Sequence, residues 1–162
     1  MLKDMRSAVV LVLAVVCLAG CGGKAAAPKD DPGRFAVKVV NLLLANHYAQ
    51  AWGDLHPEDQ RVAPLAEYVG CETRTPILAR PLGIKVLAVN DESVGLGNGK
   101  FVDSKAVDVR LRFAGAFKVT HTVHVVAEDG HWRWILPSWR FRDYRSDRCP
   151  SDAGSAPPPS PS

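Results

Sequence analysis

The chain has 162 residues, a hydrophobic content of 47%, a charged content of 23% and a formal net charge of +3. This length fits one compact domain with tails, and the composition is that of an ordinary soluble domain, not of a disordered or fibrous chain. The small net charge predicts no nucleic-acid partner. No apolar run beyond the N-terminus approaches the length of a membrane span.

The N-terminus has the parts of a secretory signal. Lys3 and Arg6 precede an apolar run that starts near Ala8 and ends in small residues. A charged start, an apolar stretch of roughly a dozen residues and small residues at the end predict an export signal, because a membrane-spanning helix would need to be longer.

The run closes with Leu18-Ala19-Gly20-Cys21, which resembles the lipobox of bacterial lipoproteins. The resemblance implies that residues 1–20 are removed as a signal peptide and that Cys21 carries a diacylglyceryl thioether and, on its new amino group, a further acyl chain. The alternative is an ordinary secretory signal with a chance cysteine. Two or three acyl chains anchor stably, so we expect the protein at the extracytoplasmic face of the cell membrane, with membrane lipid as a partner.

The remaining cysteines predict a disulfide. Cys17 lies in the signal, which leaves Cys71 and Cys149 as an even pair in an oxidising compartment. A bond closing a loop of about 80 residues would stabilise the fold by roughly 4–5 kcal/mol in the chain-entropy model. Two buried free thiols are the alternative. A metal pair is a weaker one, because no histidine lies nearby, and no metal or cofactor is predicted.

Two tails flank the predicted domain. Residues 21–31 combine the modified cysteine with small and polar residues and predict a flexible tether. Residues 150–162 are rich in proline and serine and are expected to be disordered. The domain is therefore placed at residues 32–149.

The first half of the domain predicts three helices. Asp31 can cap a helix and Pro32 suits its first turn. The first expected helix begins at Pro32. The second runs from Tyr48 to Leu55, and the third from Pro64 to Gly70. His56-Pro57 is expected to stop the second helix, and residues 58–63 are expected to form a further turn.

The second half changes to the period of strands. Alternating apolar residues predict strands over 84–89, 106–113, 117–127 and 132–143, with a bend at Pro137. Asp129-Gly130 predicts a two-residue hairpin turn. Helices followed by strands predict an α+β fold, with three N-terminal helices packed on a curled antiparallel sheet of about four strands.

This order resembles the nuclear transport factor 2-like superfamily, which includes the SnoaL-like and ketosteroid-isomerase-like proteins. The resemblance covers residues 32–148 and is carried by Tyr48–Trp52, by His56–Glu58 and by Glu128–Ile135. It implies a cone-shaped domain with a cavity between helices and sheet. It also makes a homodimer an expectation, because related folds often dimerise through the sheet.

Five residues are candidates to line such a cavity: Tyr48, Trp52, Tyr68, His121 and Trp134. Aromatic walls could hold an apolar ligand while hydroxyl groups orient it. His121 alternates with Val119 and Val123, so it should face the helices, where it could act as a base or orient a ligand. Each residue could instead be an ordinary part of the core.

A catalytic site is not assigned. Enzymes of the resembling family use an inward acid, and neither Asp54, Asp108 nor Asp143 can be given that position from the pattern. The expected function is non-catalytic binding of a small apolar ligand or a cell-envelope protein. The alternatives are an isomerase-like or hydrolase-like enzyme using His121, and an accessory module for cell-wall enzymes, by analogy with cone-shaped domains in some penicillin-binding proteins.

A cluster of arginines near the C-terminal end offers a further candidate surface. Its members are Arg133, Arg140, Arg142, Arg145 and Arg148. Such a cluster could meet anionic lipid headgroups or wall polymers. Its alternative is a solvated strand face.

Overall fold

The computed structural model describes residues 28–78 and 80–150. The predicted signal peptide, the predicted lipobox with Cys21, most of the predicted tether and the tail from Ser151 lie outside these residues, so the expectations for them stay predictions. The helices are α1 (Pro32–Leu44), α2 (Tyr48–Gly53), α3 (Pro57–Val62), α4 (Leu65–Glu72) and α5 (Ser138–Arg145). The strands are β1 (Gly83–Gly95), β2 (Phe101–Arg112), β3 (Lys118–Glu128) and β4 (His131–Trp134).

Helix α1 begins where the sequence predicts. The Asp31 carboxylate accepts a hydrogen bond from the Arg34 N–H at 2.8 Å, and Pro32 occupies the first turn. The buried side chains recur every three or four residues, so one side of the helix packs on the sheet. These residues are Ala36, Val39, Val40 and Leu44.

The prediction of three N-terminal helices is wrong, because four precede the sheet. A turn was expected over residues 58–63, and the structure instead has the helix α3 over Pro57–Val62. His56-Pro57 starts this helix instead of only ending the previous one: the His56 Nδ1 accepts the Glu58 N–H at 3.2 Å. Proline at the first position and Glu58 and Asp59 in the first turn suit a helix N-terminus.

The four strands form one antiparallel sheet in the order β1-β2-β3-β4. Alternation places Val107, Val109 and Leu111 of β2 on the helix-covered face, where they are buried, as predicted. The sheet is not strongly curled, which corrects the cone-like expectation. Bulges bend long strands, and the register of β1 with β2 has one irregularity, between Val86 and Ala88.

The strand predicted over residues 132–143 is wrong in its second half. Strand β4 ends at Trp134, and Ser138–Arg145 form α5. The aromatic residues here fit both the period of a strand and that of a helix. Phe141 and Tyr144 are both buried, and their spacing of three residues is that of one side of a helix. The Asp129-Gly130 turn is confirmed, since both residues have positive φ, of 48° and 77°.

The predicted disulfide between Cys71 and Cys149 is present. The two Cα atoms are 5.2 Å apart, and the residues are separated by 78 positions in the sequence. The disulfide connects α4 to the segment after α5. Among the described residues no helix is both long and apolar enough to cross a membrane.

Candidate functional site

An apolar groove of about 390 Å³ lies between the second half of α1 and the beginning of β3. The segment from Trp134 to Arg140, which leads into α5, closes one side of it. Its walls are formed mostly by aliphatic and aromatic side chains. They include Val39, Val40, Leu43, Leu44, Ile77, Leu111, Phe113, Val123, Trp134, Ile135, Pro137 and Trp139.

His121 stands at the exposed side of this groove. It pairs with buried Val109 of β2, and paired residues of an antiparallel ladder share a face, so its side chain lies on the helix-covered face. The residue itself is exposed. No hydrogen bond to its ring is found among the described residues, and no carboxylate side chain is among the residues that line the groove.

Trp134 forms the floor of the groove and belongs to the core. It is 3% exposed, and its Nε1–H donates a hydrogen bond to the Ala51 carbonyl at 2.7 Å. The bond connects β4 to α2 and satisfies the one polar atom of a buried indole. Trp134 is therefore fixed by its own packing, whether or not the groove is occupied.

Arg140 closes the far wall through an ion pair. Its guanidinium contacts the Glu72 carboxylate, which also accepts a hydrogen bond from the Tyr144 hydroxyl at 2.7 Å. The guanidinium lies 5.8 Å from the centre of the Trp139 ring. Because Glu72 follows Cys71, this polar cluster and the disulfide together hold α5 against α4.

The other three aromatic candidates lie away from the groove. The Tyr48 hydroxyl donates to Asn46 Oδ1 at 2.6 Å, and the Trp52 Nε1–H donates to the Ala63 carbonyl at 2.7 Å. Tyr68 is fully buried, and burial raises its pKa to about 12. These three side chains pack among the helices, so the structure places only His121 and Trp134 of the five candidates at the groove.

Asp59 is a buried acid that the sequence analysis did not single out. Its Oδ2 accepts the Leu136 N–H at 2.9 Å, and its Oδ1 has no partner among the described residues. Burial raises its pKa to about 7. A signal existed in the sequence: Asp59 follows Leu55 by four positions and precedes Val62 by three, which places it on the inner side of α3. It does not line the groove, and it fixes the backbone that leads there from β4.

A second, polar cleft of about 250 Å³ lies at the opposite end of α1. Lys38 forms an ion pair with Asp54 at 2.6 Å across it. The Trp132 Nε1–H donates to the Asp30 carbonyl at 2.7 Å, so the last residues of the tether are held here. The described chain thus enters the domain at the end remote from the groove.

The arginine cluster is largely engaged within the domain. Arg133 donates to the Gly53 carbonyl at 2.7 Å, Arg140 pairs with Glu72, and Arg148 pairs with Asp143 at 2.9 Å. Most of these arginines belong to α5 or follow it, not to a strand as predicted. These three arginines therefore stabilise contacts within the domain.

Comparison with known proteins identifies no family for this chain. The chain matches no known protein family, and no curated protein is significantly similar to it. Within residues 28–78 and 80–150, no group of three or more histidine, cysteine or acidic side chains is arranged to hold a metal ion.

Proposed function

We propose that this protein is a lipoprotein anchored at the extracytoplasmic face of the cell membrane, and that its domain binds an apolar guest without catalysis. The guest is a small apolar ligand or an apolar segment of a cell-envelope protein. The observation that carries the proposal is the groove of about 390 Å³, whose walls are mostly aliphatic and aromatic. Sites of this size and lining bind ligands by excluding water from apolar surface.

The lipobox in the sequence supports the proposed anchor, and so does the position at which the chain enters the domain. The lipobox ends at Cys21, seven positions before Pro28, the first described residue. The contact between Trp132 and Asp30 holds the tether at the polar end of α1. A disulfide between Cys71 and Cys149 suits an exported protein, because such bonds persist in oxidising compartments.

The fold supports a relation to the nuclear transport factor 2-like superfamily, which we include in the proposal. Helices packed on a four-stranded antiparallel sheet are the shared feature. The absence of a strong curl in the sheet means that the guest site is a groove at one side, and not the interior of a cone.

Binding is favoured over catalysis by the surroundings of His121. A histidine that acts as a base in such a cavity works with an acid that is held in reach. Here the described lining of the groove contains no carboxylate. The buried acid Asp59 is bonded to the Leu136 N–H instead, and it lies outside the groove.

Fluorescence of the neutral dye N-phenyl-1-naphthylamine tests the groove. The dye should bind saturably to the wild-type domain, and Leu43→Glu should weaken binding by about tenfold or more, since a carboxylate in an apolar site must be desolvated. Asn41→Glu, on the exposed side of the same helix, is the matched control and should bind as wild type. Equal binding by all three proteins would exclude the groove as the site.

Labelling with an alkyne fatty acid tests the anchor. Cells expressing the wild-type chain should incorporate the label and retain the protein in membranes, whereas Cys21→Ala should lose both. Cys17→Ala is the control, because Cys17 lies within the predicted signal peptide. An unlabelled wild-type protein, or one that still carries residues 1–20, would contradict the anchor.

A further inference from the structure

We propose that the groove and the adjacent edge of β3 form a docking site for an extended segment of a partner protein, which adds to the sheet as a fifth strand. The segment alternates apolar side chains, which enter the groove, with acidic side chains, which face outward. This inference rests on the proposed function and names the guest that the site is built for.

In the described part of the chain, the first half of β3 has a strand neighbour on one side only. Strand β4 pairs with Val125–Glu128, and the last contact is the hydrogen bond from the Ile135 N–H to the His124 carbonyl at 3.1 Å. Among the strands that the structure describes, only β2 pairs with residues 118–123. The open edge is about 20 Å long at the ordinary rise of a strand.

The direction of the His124 carbonyl identifies which backbone groups face outward. Along a strand, the N–H and C=O groups of alternate residues point to the same side. Because His124 bonds toward β4, the backbone groups of Thr122, Thr120 and Lys118 point to the same, open side. All three residues are exposed. Such a row of unpaired donors and acceptors is a template for another strand.

The groove runs beside this edge on the helix-covered face. His121 and Val123 of β3, and Phe113, which follows β2, line the groove. A strand added to β3 would direct every second side chain toward this face. The apolar wall therefore selects apolar side chains at alternate positions of the partner.

The opposite face of the same strands selects the other positions. Arg110, Arg112 and Lys118 lie there. Asp108 is the one acid among the described residues of β2 and β3 that pair over this stretch, and it accepts a hydrogen bond from the Thr122 hydroxyl at 2.7 Å. Acidic side chains on the added strand would complement this surface. A second copy of the chain would instead bring like charges together, which disfavours pairing of two β3 edges.

Fluorescence anisotropy of labelled eight-residue peptides tests the inference on the full-length protein purified from membranes. A peptide of alternating valine and glutamate should bind. The same peptide with its edge-facing amides N-methylated, or with lysine in place of glutamate, should bind at least about tenfold more weakly, because it loses strand hydrogen bonds or charge complementarity.

Proline substitution supplies the matched pair of variants. Thr120→Pro removes an outward N–H of β3, which leaves its pairing with β2 intact, and should weaken binding of the valine–glutamate peptide about tenfold. Ser93→Pro makes the same change at an exposed outward position of β1, on the other edge of the sheet, and should not. Equal weakening by both variants would contradict the assignment of the β3 edge.

Two further outcomes would overturn the inference. One is equal binding of the N-methylated peptide, which would mean that strand pairing does not occur. The other is no binding of the valine–glutamate peptide at millimolar concentration by a protein that still binds N-phenyl-1-naphthylamine in the groove. In that second case the proposed apolar binding function stands while the strand-docking inference fails. Loss of dye binding by the wild-type protein would contradict both.

Discussion

The two ends of the layer between α1 and the sheet differ in what fills them. At the N-terminal end of α1, the cleft is lined by charged and polar groups that are bonded to one another, such as Lys38 and Asp54. At the C-terminal end, the groove is lined by Val40, Leu43 and other apolar side chains. Helix α1 is roughly 20 Å long, and the cleft and the groove lie toward its opposite ends, with Lys38 lining the first and Val39 the second.

The ends also differ in how their backbone groups are used. Strand β4 pairs with the second half of β3 and is joined to it by the Asp129-Gly130 turn, whereas no strand within residues 28–78 and 80–150 pairs with the first half of β3 on that edge. Large apolar side chains are exposed near the open half, among them Leu78 at 85% and Phe117 at 62%. The chain that precedes α1 is therefore held at the polar end through Asp30, and the exposed apolar surface lies at the other end. Under the proposed function, the first end is the one for attachment and the second the one for recognition.

The largest effect on stability is expected at the floor of the groove, and a much smaller one at its wall. Trp134→Ala should destabilise the domain by about 3–5 kcal/mol, because it empties a buried site and leaves the Ala51 carbonyl without its donor. Trp139→Ala, at a partly exposed position of the wall, should cost less than about 1 kcal/mol and yet weaken dye binding. Urea denaturation and dye titration of both variants check this. Equal losses of stability would contradict the distinction.

Asp59 makes the stability of the region behind the groove dependent on pH. Its pKa is about 7 in the folded protein against 3.8 for an ordinary aspartate. The folded chain therefore binds more protons between these values, and stability falls as the pH rises from about 4 to 7. Asp59→Asn keeps an acceptor for Leu136 and removes the charge, so it should exceed wild type by on the order of 2–4 kcal/mol at pH 8.

At pH 4 the two proteins should be nearly equal in stability, because Asp59 is then almost wholly protonated in the folded chain and, with a pKa of 3.8, only about half ionised in the unfolded chain. Urea denaturation at the two pH values measures the difference. Asp103→Asn, at an exposed position of β2, is the control and should follow wild type. A difference between Asp59→Asn and wild type that is the same at both pH values would contradict a buried, titrating Asp59.

A smaller effect is expected at the polar end. Trp132→Phe removes the hydrogen bond to the Asp30 carbonyl and should cost about 1 kcal/mol of stability. It should also make the chain before α1 more susceptible to proteolysis, because the tether loses its attachment. Dye binding in the groove should not change. A change in dye affinity would mean that the two ends are coupled.

The smallest effect is expected for Phe117→Ala at the open end. The Phe117 ring lies 5.9 Å from that of Phe113 but is 62% exposed. We expect a loss of stability below about 0.5 kcal/mol, as for most exposed positions. A loss of several kcal/mol, measured by thermal or urea unfolding, would show that this end is closed in solution.

The sequence predicted the elements whose signals are local. The Asp31 cap, the period of α1, the alternation of β2 and the Asp129-Gly130 turn are each encoded within a few residues, and the structure confirms them. The alternation of Trp139, Phe141 and Asp143 predicts a strand where the structure has α5. Only the long-range burial of Phe141 and Tyr144 decides between the two periods.

The groove could be predicted only in part, because its shape depends on where neighbouring helices and strands end relative to one another. The pattern placed His121 on the inner face, but not at an exposed edge. That position results from the early end of β4, which no local signal marks. Tyr48, Trp52 and Tyr68 are residue types that could line a cavity. In the structure their partners are the Asn46 side chain, the Ala63 carbonyl and the Tyr144 ring, in that order. Asp59 was missed because the short α3 was read as a turn.

The central claim is that an apolar guest occupies the open end of the layer beneath α1. Methyl NMR during titration with N-phenyl-1-naphthylamine tests it most directly. We predict saturable shifts for the methyl groups of Leu43 and Val123, which line the groove, with those of Val107 in the closed core unchanged. Shifts absent from the groove, or spread equally through the core, would contradict the account.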